Sequence, residues 1–459
     1  MPQPAAQTAR HPEPVSLVEM LARLEAREQH GLLFIHGANQ EDRVSYARLL
    51  ADARRMLTRL QARGLAPGQE LVIQTGDNRA LLTIFWACVL GGLVPVPLAP
   101  ARQAENRRKL WGVWPRLTQP WLAVDAEHWE HLSRHDPSEA EAIAERVISV
   151  ETLGADLEGE DQARDLAAPP PEALALVQFS SGSTGRPKGV RLTHANLLSN
   201  LRGMTQGAAM TAADSFFGWM PLTHDMGLIA FHLWPTYLGV DQFILDTPLF
   251  IRRPGLWLAK ASQHRATVLG SPDFGYQLLL ASLRTGQRPD WDLSAVRILF
   301  NAAEPISPKV CDRFMKALAP CGLTRQAMFP CYGLAETAVG AAFPPPGRAF
   351  ARVHLDRDTL TLGDQARELP PEHPQAATFA VEGHPLVGTD IAIRDDQGRD
   401  LPEGRLGRVM LRGPSVTAGY HGDPEATAQA VSRDGWLDTG DLGLVLRGQL
   451  VITGRIKDV

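Results

Sequence analysis

Ser180-Ser181-Gly182-Ser183-Thr184-Gly185-Arg186-Pro187-Lys188-Gly189-Val190 follows an apolar run, ALALVQFS at residues 173–180, and precedes a helix candidate that opens near Thr193. Glycines let backbone N–H groups turn inward, the hydroxyls add donors, and Lys188 supplies positive charge. The segment therefore has the parts of a polyphosphate clamp. It is not a Walker A loop, which needs Gly-Lys-Ser/Thr opening a helix; here Pro187 precedes the lysine and Gly189 follows it. Taken alone, the same letters also read as a linker of small residues.

Working outward, strand candidates recur on the C-terminal side at residues 215–219, 241–244, 266–269 and 296–301, separated by helical patterns. On the N-terminal side, residues 16–125 alternate helical runs such as VSYARLLADARRMLTRLQARG with short apolar runs, LLFIHG, ELVIQTG and PWLAVD. Such alternation predicts an α/β fold with parallel, doubly wound sheets. Residues 126–172 are acidic and end in Pro169-Pro170-Pro171, which reads as a surface connector. From residue 380 short strands with Gly and Pro turns predict a small antiparallel barrel or distorted sheet. The expected division is two α/β subdomains, residues 1–172 and 173–379, a β-barrel subdomain at 380–455 and a hinge at 456–459. The uncharged stretch at residues 81–101 is long enough to span a bilayer. Gly91, Gly92, Pro95 and Pro97 divide it, so a buried helix ending near Leu90, a turn and a short strand are expected instead.

Composition narrows the function. The 459 residues are 44% hydrophobic and 21% charged, enough for large cores, and 46 Lys plus Arg against 51 Asp plus Glu give a net charge of -5. That balance offers nucleic acid or an anionic membrane no basic surface. Cys88, Cys311, Cys321 and Cys331 form no CxxC pair, and the N-terminus lacks the apolar core of a signal peptide, so a reducing cytoplasm is the expected setting.

The phosphate segment is followed, in order, by WMPLTHDMGL at 219–228, FNAAEP at 300–305, YGLAET at 332–337, GPSVTAGY at 413–420, WLDTGDL at 436–442 and GRIKD at 454–458. This series resembles the motifs of the adenylate-forming superfamily, which contains acyl-CoA synthetases, fatty acyl-AMP ligases, luciferases and nonribosomal-peptide adenylation domains. The resemblance implies two α/β subdomains plus a β-barrel, then a small mobile C-terminal domain. It also implies ATP and Mg2+ as cofactors and a reaction in which a carboxylate attacks the α-phosphorus of ATP, giving acyl-adenylate and pyrophosphate. A carboxylate is already a nucleophile, so such a site needs alignment and charge neutralisation rather than a base.

By the same resemblance, Ser180, Ser181, Gly182, Ser183, Thr184, Gly185 and Lys188 hold the phosphates, and Glu336 with Thr184 holds Mg2+. Thr337 donates to the α-phosphate. Tyr332 and Gly333 face the adenine across from Asn301, Ala302, Ala303, Glu304 and Pro305. Asp441 accepts from the ribose hydroxyls, Arg455 supports ribose or phosphate, His224 lies beside the acyl carboxylate, and Lys457 sits at the hinge. Read singly, Glu336 is a helix-start carboxylate, Asp441 a turn aspartate, Tyr332 core and His224 a packing histidine. His224, Met226, Gly227, Ala230, Phe231, Trp234, Phe274 and Tyr276 are expected to line the acid pocket, which the bulk of Phe231 and Trp234 would keep short.

An ammonium-holding Asp is not evident in LIAFHLWPTYLGVDQFIL at 228–245, where only His232 and Asp241 are polar enough to count, so an amino-acid or aryl-acid adenylation domain is the weaker alternative. The AAEP motif, VLGSPDFGYQLL and an additional segment at residues 352–379 resemble the fatty acyl-AMP ligases and acyl-ligase loading domains of polyketide and hybrid peptide assembly lines. That branch implies transfer of the acyl group to the phosphopantetheine thiol of an acyl carrier protein; an acyl-CoA synthetase is the close rival. The 352–379 segment also reads as an ordinary charged surface loop. The chain stops at Val459, soon after LVITGR, which reads as a truncation before the lysine-bearing C-terminal domain and implies slow turnover.

Overall fold

A computed structural model describes residues 13–154, 166–180, 187–283 and 290–458. Its largest sheet has seven strands in the spatial order Met328–Pro330, Ile298–Asn301, Val268–Ser271, Phe216–Gly218, Gln242–Leu245, Gly31–Ile35 and Glu41–Ser45. Every adjacent pair is parallel except the last. The strand Gly31–Ile35 is buried along its whole length, as a strand covered on both faces must be, and its apolar letters leave no solvent face. That requirement draws it out of the 1–172 segment into the sheet of the second, so the sheets do not follow the expected boundary at residue 172.

A second, wholly parallel sheet has the order Val94–Pro97, Glu70–Gln74, Trp121–Val124 and Val147–Ser149. The uncharged stretch resolves into the buried helix Asn78–Leu90, capped by the Asp77 carboxylate, then a turn at Gly92 (φ 68°) and the strand Val94–Pro97. Val94 and Leu98 donate to Gln69 and Ile73, so Pro95 and Pro97 fall on the other edge, where no donor is needed. Against that edge lies an antiparallel hairpin, Leu174–Ser180 with Lys188–Thr193. Lys188 thus sits on a strand, paired with Ser180, where the sequence suggested a loop running straight to a helix. The helix His194–Gly207 follows, closed by a Thr193/Asn196 capping box.

Residues 390–455 hold a four-stranded antiparallel sheet, Asp390–Arg394, Gly407–Arg412, Leu437–Leu446 and Gln449–Arg455, with two register shifts. No closed ring of strands is found among the described residues, so the distorted-sheet form of the expectation describes it. The 352–379 segment is an ordered hairpin, Arg352–Asp356 with Ala376–Ala380, rather than a loose surface loop. Val353 and Leu355 share a small core with Leu406, Leu444 and Val451, while Arg352 grips Asp312 on the helix Pro308–Leu318. Among the described residues no helix is long and apolar enough to cross a membrane.

Candidate active site

Three distant motifs are stitched together by backbone hydrogen bonds. His421 N–H donates to Gly189 O at 2.7 Å, Arg191 N–H to Gly419 O at 3.2 Å, and Thr417 N–H to Glu336 O at 2.7 Å. These bonds bring Lys188, Glu336 and Tyr420 to one wall of a cavity of about 990 Å³. The volume suits a ligand larger than a nucleotide base alone. Ser181, Gly182, Ser183, Thr184 and Gly185 lie outside the described residues; Ser180 and Lys188, which flank them, both line the cavity.

The polar half is a set of braced carboxylates. Burial pushes the Glu336 carboxyl above its usual range, while the Tyr420 hydroxyl donates to its Oε1 at 2.9 Å. The Lys188 ammonium stands 4.8 Å from the centre of the Tyr420 ring. Asp441 is likewise pushed upward by burial, against the Tyr332 hydroxyl at 2.6 Å and Arg455 Nε at 3.1 Å. Register explains the last contact, because Asp441 and Arg455 are cross-strand partners. A buried carboxyl with a raised pKa facing a cavity suits a cation bound with its ligand. Mg2+ keeps most of its waters and takes one or two carboxylates plus phosphate oxygens, so the hard oxygen of Glu336 fits it.

The 301–305 segment is pinned from below. Asn301 Nδ2 donates to Asp273 Oδ1 at 3.1 Å, as does Ser307 N–H, also at 3.1 Å. Glu304 accepts from the Phe274 N–H. These anchors hold Ala303 at φ 71°, a conformation costly for a residue with a Cβ and persistent only where the surroundings enforce it. Ala302, Ala303, Glu304 and Pro305 line the cavity opposite Tyr332 and Gly333. Asn301 does not; fully buried, it braces the segment instead. Thr337 is also fully buried, its hydroxyl turned to Leu334 O at 3.0 Å, away from the cavity.

The apolar half is built on a π-helix, Met226–Leu233, a rare element that concentrates at functional sites. Met226, Ala230, Phe231 and Trp234 line the cavity, as do His224 and Asp225, which directly precede the π-helix. The Asp225 carboxylate, 2.7 Å from His224 Nδ1, raises the pKa of that imidazole against the opposing effect of burial. Gly227 faces the other way: a Cβ there would lie 2.1 Å from Pro221 O, so the residue permits a close approach. Two further expectations are corrected. Phe274 is 45% exposed and turns its ring to Trp219, and Tyr276 is core, its hydroxyl donating to Phe300 O at 2.6 Å. Met204, Phe300 and Phe343 line the cavity in their stead; Met204 and Phe343 lie in no motif, and all three are apolar like any core residue. His232 and Asp241 are engaged elsewhere, the first with Trp86 and Gln242, the second with Gly31 N–H and Arg43.

The AMP-binding enzyme family model matches residues 22–421. A putative acyl-CoA synthetase of Caulobacter vibrioides is 33% identical over 421 residues, 90% of this chain and 72% of that protein. A medium-chain-fatty-acid–[acyl-carrier-protein] ligase of Moorena producens is 29% identical over 92% of this chain and 73% of its own. Among solved structures, the adenylation domain of a keto acid-selecting NRPS module, bound to keto acyl adenylate, superposes with a TM-score of 0.88 at 31% identity, covering 97% of this chain and 81% of that one. A fatty acid AMP ligase from Legionella pneumophila gives 0.90 at 26% identity, covering 99% and 79%. With a family model matched along most of its length and the family's motifs gathered around one cavity, the chain belongs to the AMP-binding enzymes.

Proposed function

We propose that the chain activates an apolar carboxylic acid as its acyl-adenylate, at the expense of ATP, for transfer to the phosphopantetheine thiol of an acyl carrier protein. The observation that carries this reading is one cavity lined both by Asp441, Glu336 and Lys188 and by Met226, Phe231 and Trp234, with His224 on its wall as well. The polar half suits ribose and phosphates; among the described residues the aromatic half offers no free carboxylate to an ammonium, because Asp225 is paired with His224. Bound Mg2+ would neutralise phosphate charge, with Glu336 as its protein carboxylate. Lys188 and the segment Ser181 to Gly185 would hold the phosphates, and Lys457 would serve as hinge.

Relatives named as carrier-protein ligases support the carrier thiol as acceptor. A second reading, thioester formation on coenzyme A, is favoured by the relative named a putative acyl-CoA synthetase. The test is calorimetric binding of ATP and of a non-hydrolysable decanoyl-adenylate analogue to the chain and to Asp441→Asn. Both ligands should bind the native chain, and the variant should weaken both by about tenfold to a hundredfold, the scale of losing a charge-assisted hydrogen-bond pair. Binding of neither ligand by the native chain, or equal binding by the variant, refutes the adenylate site.

A further inference from the structure

Glu382 is a carboxyl in this cavity that the proposed chemistry leaves without a task and, unlike Asp438, it is not paired with an arginine among the described residues. It follows the hairpin strand Ala376–Ala380, lines the cavity, and is only 4% exposed. Its backbone is clamped, with Glu382 N–H donating to Leu450 O at 3.0 Å. One side-chain oxygen, Oε2, accepts from Ile452 N–H at 3.0 Å. Among the described residues no charged side chain acts on this carboxyl, which has backbone donors only. Glu382 also stands near Cys331, the residue before Tyr332, whose thiol is pushed upward first by burial and then by the neighbouring carboxyl. Cys331, Tyr332 and Ile452 line the same cavity.

Burial pushes the Glu382 carboxyl up to about 8, opposed only by backbone donors; no charged side chain among the described residues offsets it, and Cys331 is the titratable neighbour. At neutral pH it is a carboxylic acid, with one O–H donor and one carbonyl acceptor side by side. That pair complements a purine edge carrying a ring-nitrogen acceptor next to an amino donor, as asparagine and glutamine amides do with adenine. A purine that lacks the amino group leaves the carbonyl half of that pair without a donor.

We propose that Glu382 is a specificity-determining residue that reads the amino edge of the adenine base. This rests on the adenylate site proposed above and assigns recognition of the base's amino group to this side chain rather than to backbone alone. Acting through the base and not the reacting atoms, Glu382 leaves the chemistry to other residues.

The test compares ATP with purine riboside 5′-triphosphate, which lacks the amino group, by calorimetry on the full chain, Glu382→Gln and Glu382→Leu. Native protein should bind ATP about tenfold more tightly than the deaminated analogue at pH 7, one good bidentate pair being worth that order of discrimination. The preference should shrink toward pH 9 as the carboxyl ionises. In Glu382→Gln the pH dependence of the preference should vanish, and in Glu382→Leu the preference itself should fall to near unity. Thermal melting of each variant separates misfolding from lost recognition. A tenfold preference that persists in folded Glu382→Leu, or one that does not change with pH in the native chain, overturns the assignment while leaving the adenylate site standing; failure of the native chain to bind ATP overturns both.

Discussion

At the scale of single residues, the site works by burying charge beside chosen partners. His224 shows the direction. Its folded pKa lies above the ordinary imidazole value because of the Asp225 carboxylate. A cation held this way is fully stabilised below the unfolded value near ~6.5 and released as pH rises through the folded one. Asp225→Asn should therefore lower the His224 pKa, so the imidazolium is lost at lower pH than in the native chain. An NMR titration of the His224 ring protons measures this, and an unchanged midpoint would show that another group sets it. His224, Glu336 and Asp441 were readable as candidates because motif spacing marks them. That Tyr420 braces Glu336 and Tyr332 braces Asp441 was not readable, since each pair joins residues 84 and 109 positions apart.

At the scale of elements, the acid pocket is set by how a π-helix meets a sheet. The Phe231 side chain packs on Gly218 and Gly270 of two sheet strands, where an added Cβ would come within 2.9 and 2.5 Å of it. Trp234 is fixed by a bond from its Nε1 to Thr205 Oγ1 at 2.9 Å and packs edge-on or tilted among Phe216, Phe300 and Phe343. Those fixed rings close the pocket, so acids of short to medium length should be preferred. Trp234→Leu should move the optimum upward by about two methylenes, each worth ~0.8 kcal/mol when buried. Binding of an acyl-adenylate analogue series from four to sixteen carbons reads the shift; an optimum already at sixteen carbons in the native chain would remove the short pocket. Sequence pattern supplied Phe231 and Trp234 but also Phe274 and Tyr276, because an apolar residue near a motif reads the same whether it faces a cavity or the core.

At the scale of the molecule, the cavity has walls from the large sheet, the antiparallel sheet and the 352–380 hairpin, so a bound nucleotide should tighten all of them together. Saturation at ~100 times the dissociation constant adds about 2.7 kcal/mol to stability. Hydrogen exchange should then slow at residues 302–305, 376–380 and 450–455 at once; protection confined to one wall would contradict a shared site. The letters alone determined the α/β class, the buried helix in residues 81–101 and the order of the motifs, because these rest on local periodicity, glycine and proline chemistry and short spacings. Tertiary structure alone decided which sheet the strand Gly31–Ile35 joins, which hydroxyl braces which carboxylate, and that Glu382 lines the cavity. Each of those depends on segments far apart in the chain meeting in space, and pairing of that kind leaves no periodic trace in sequence.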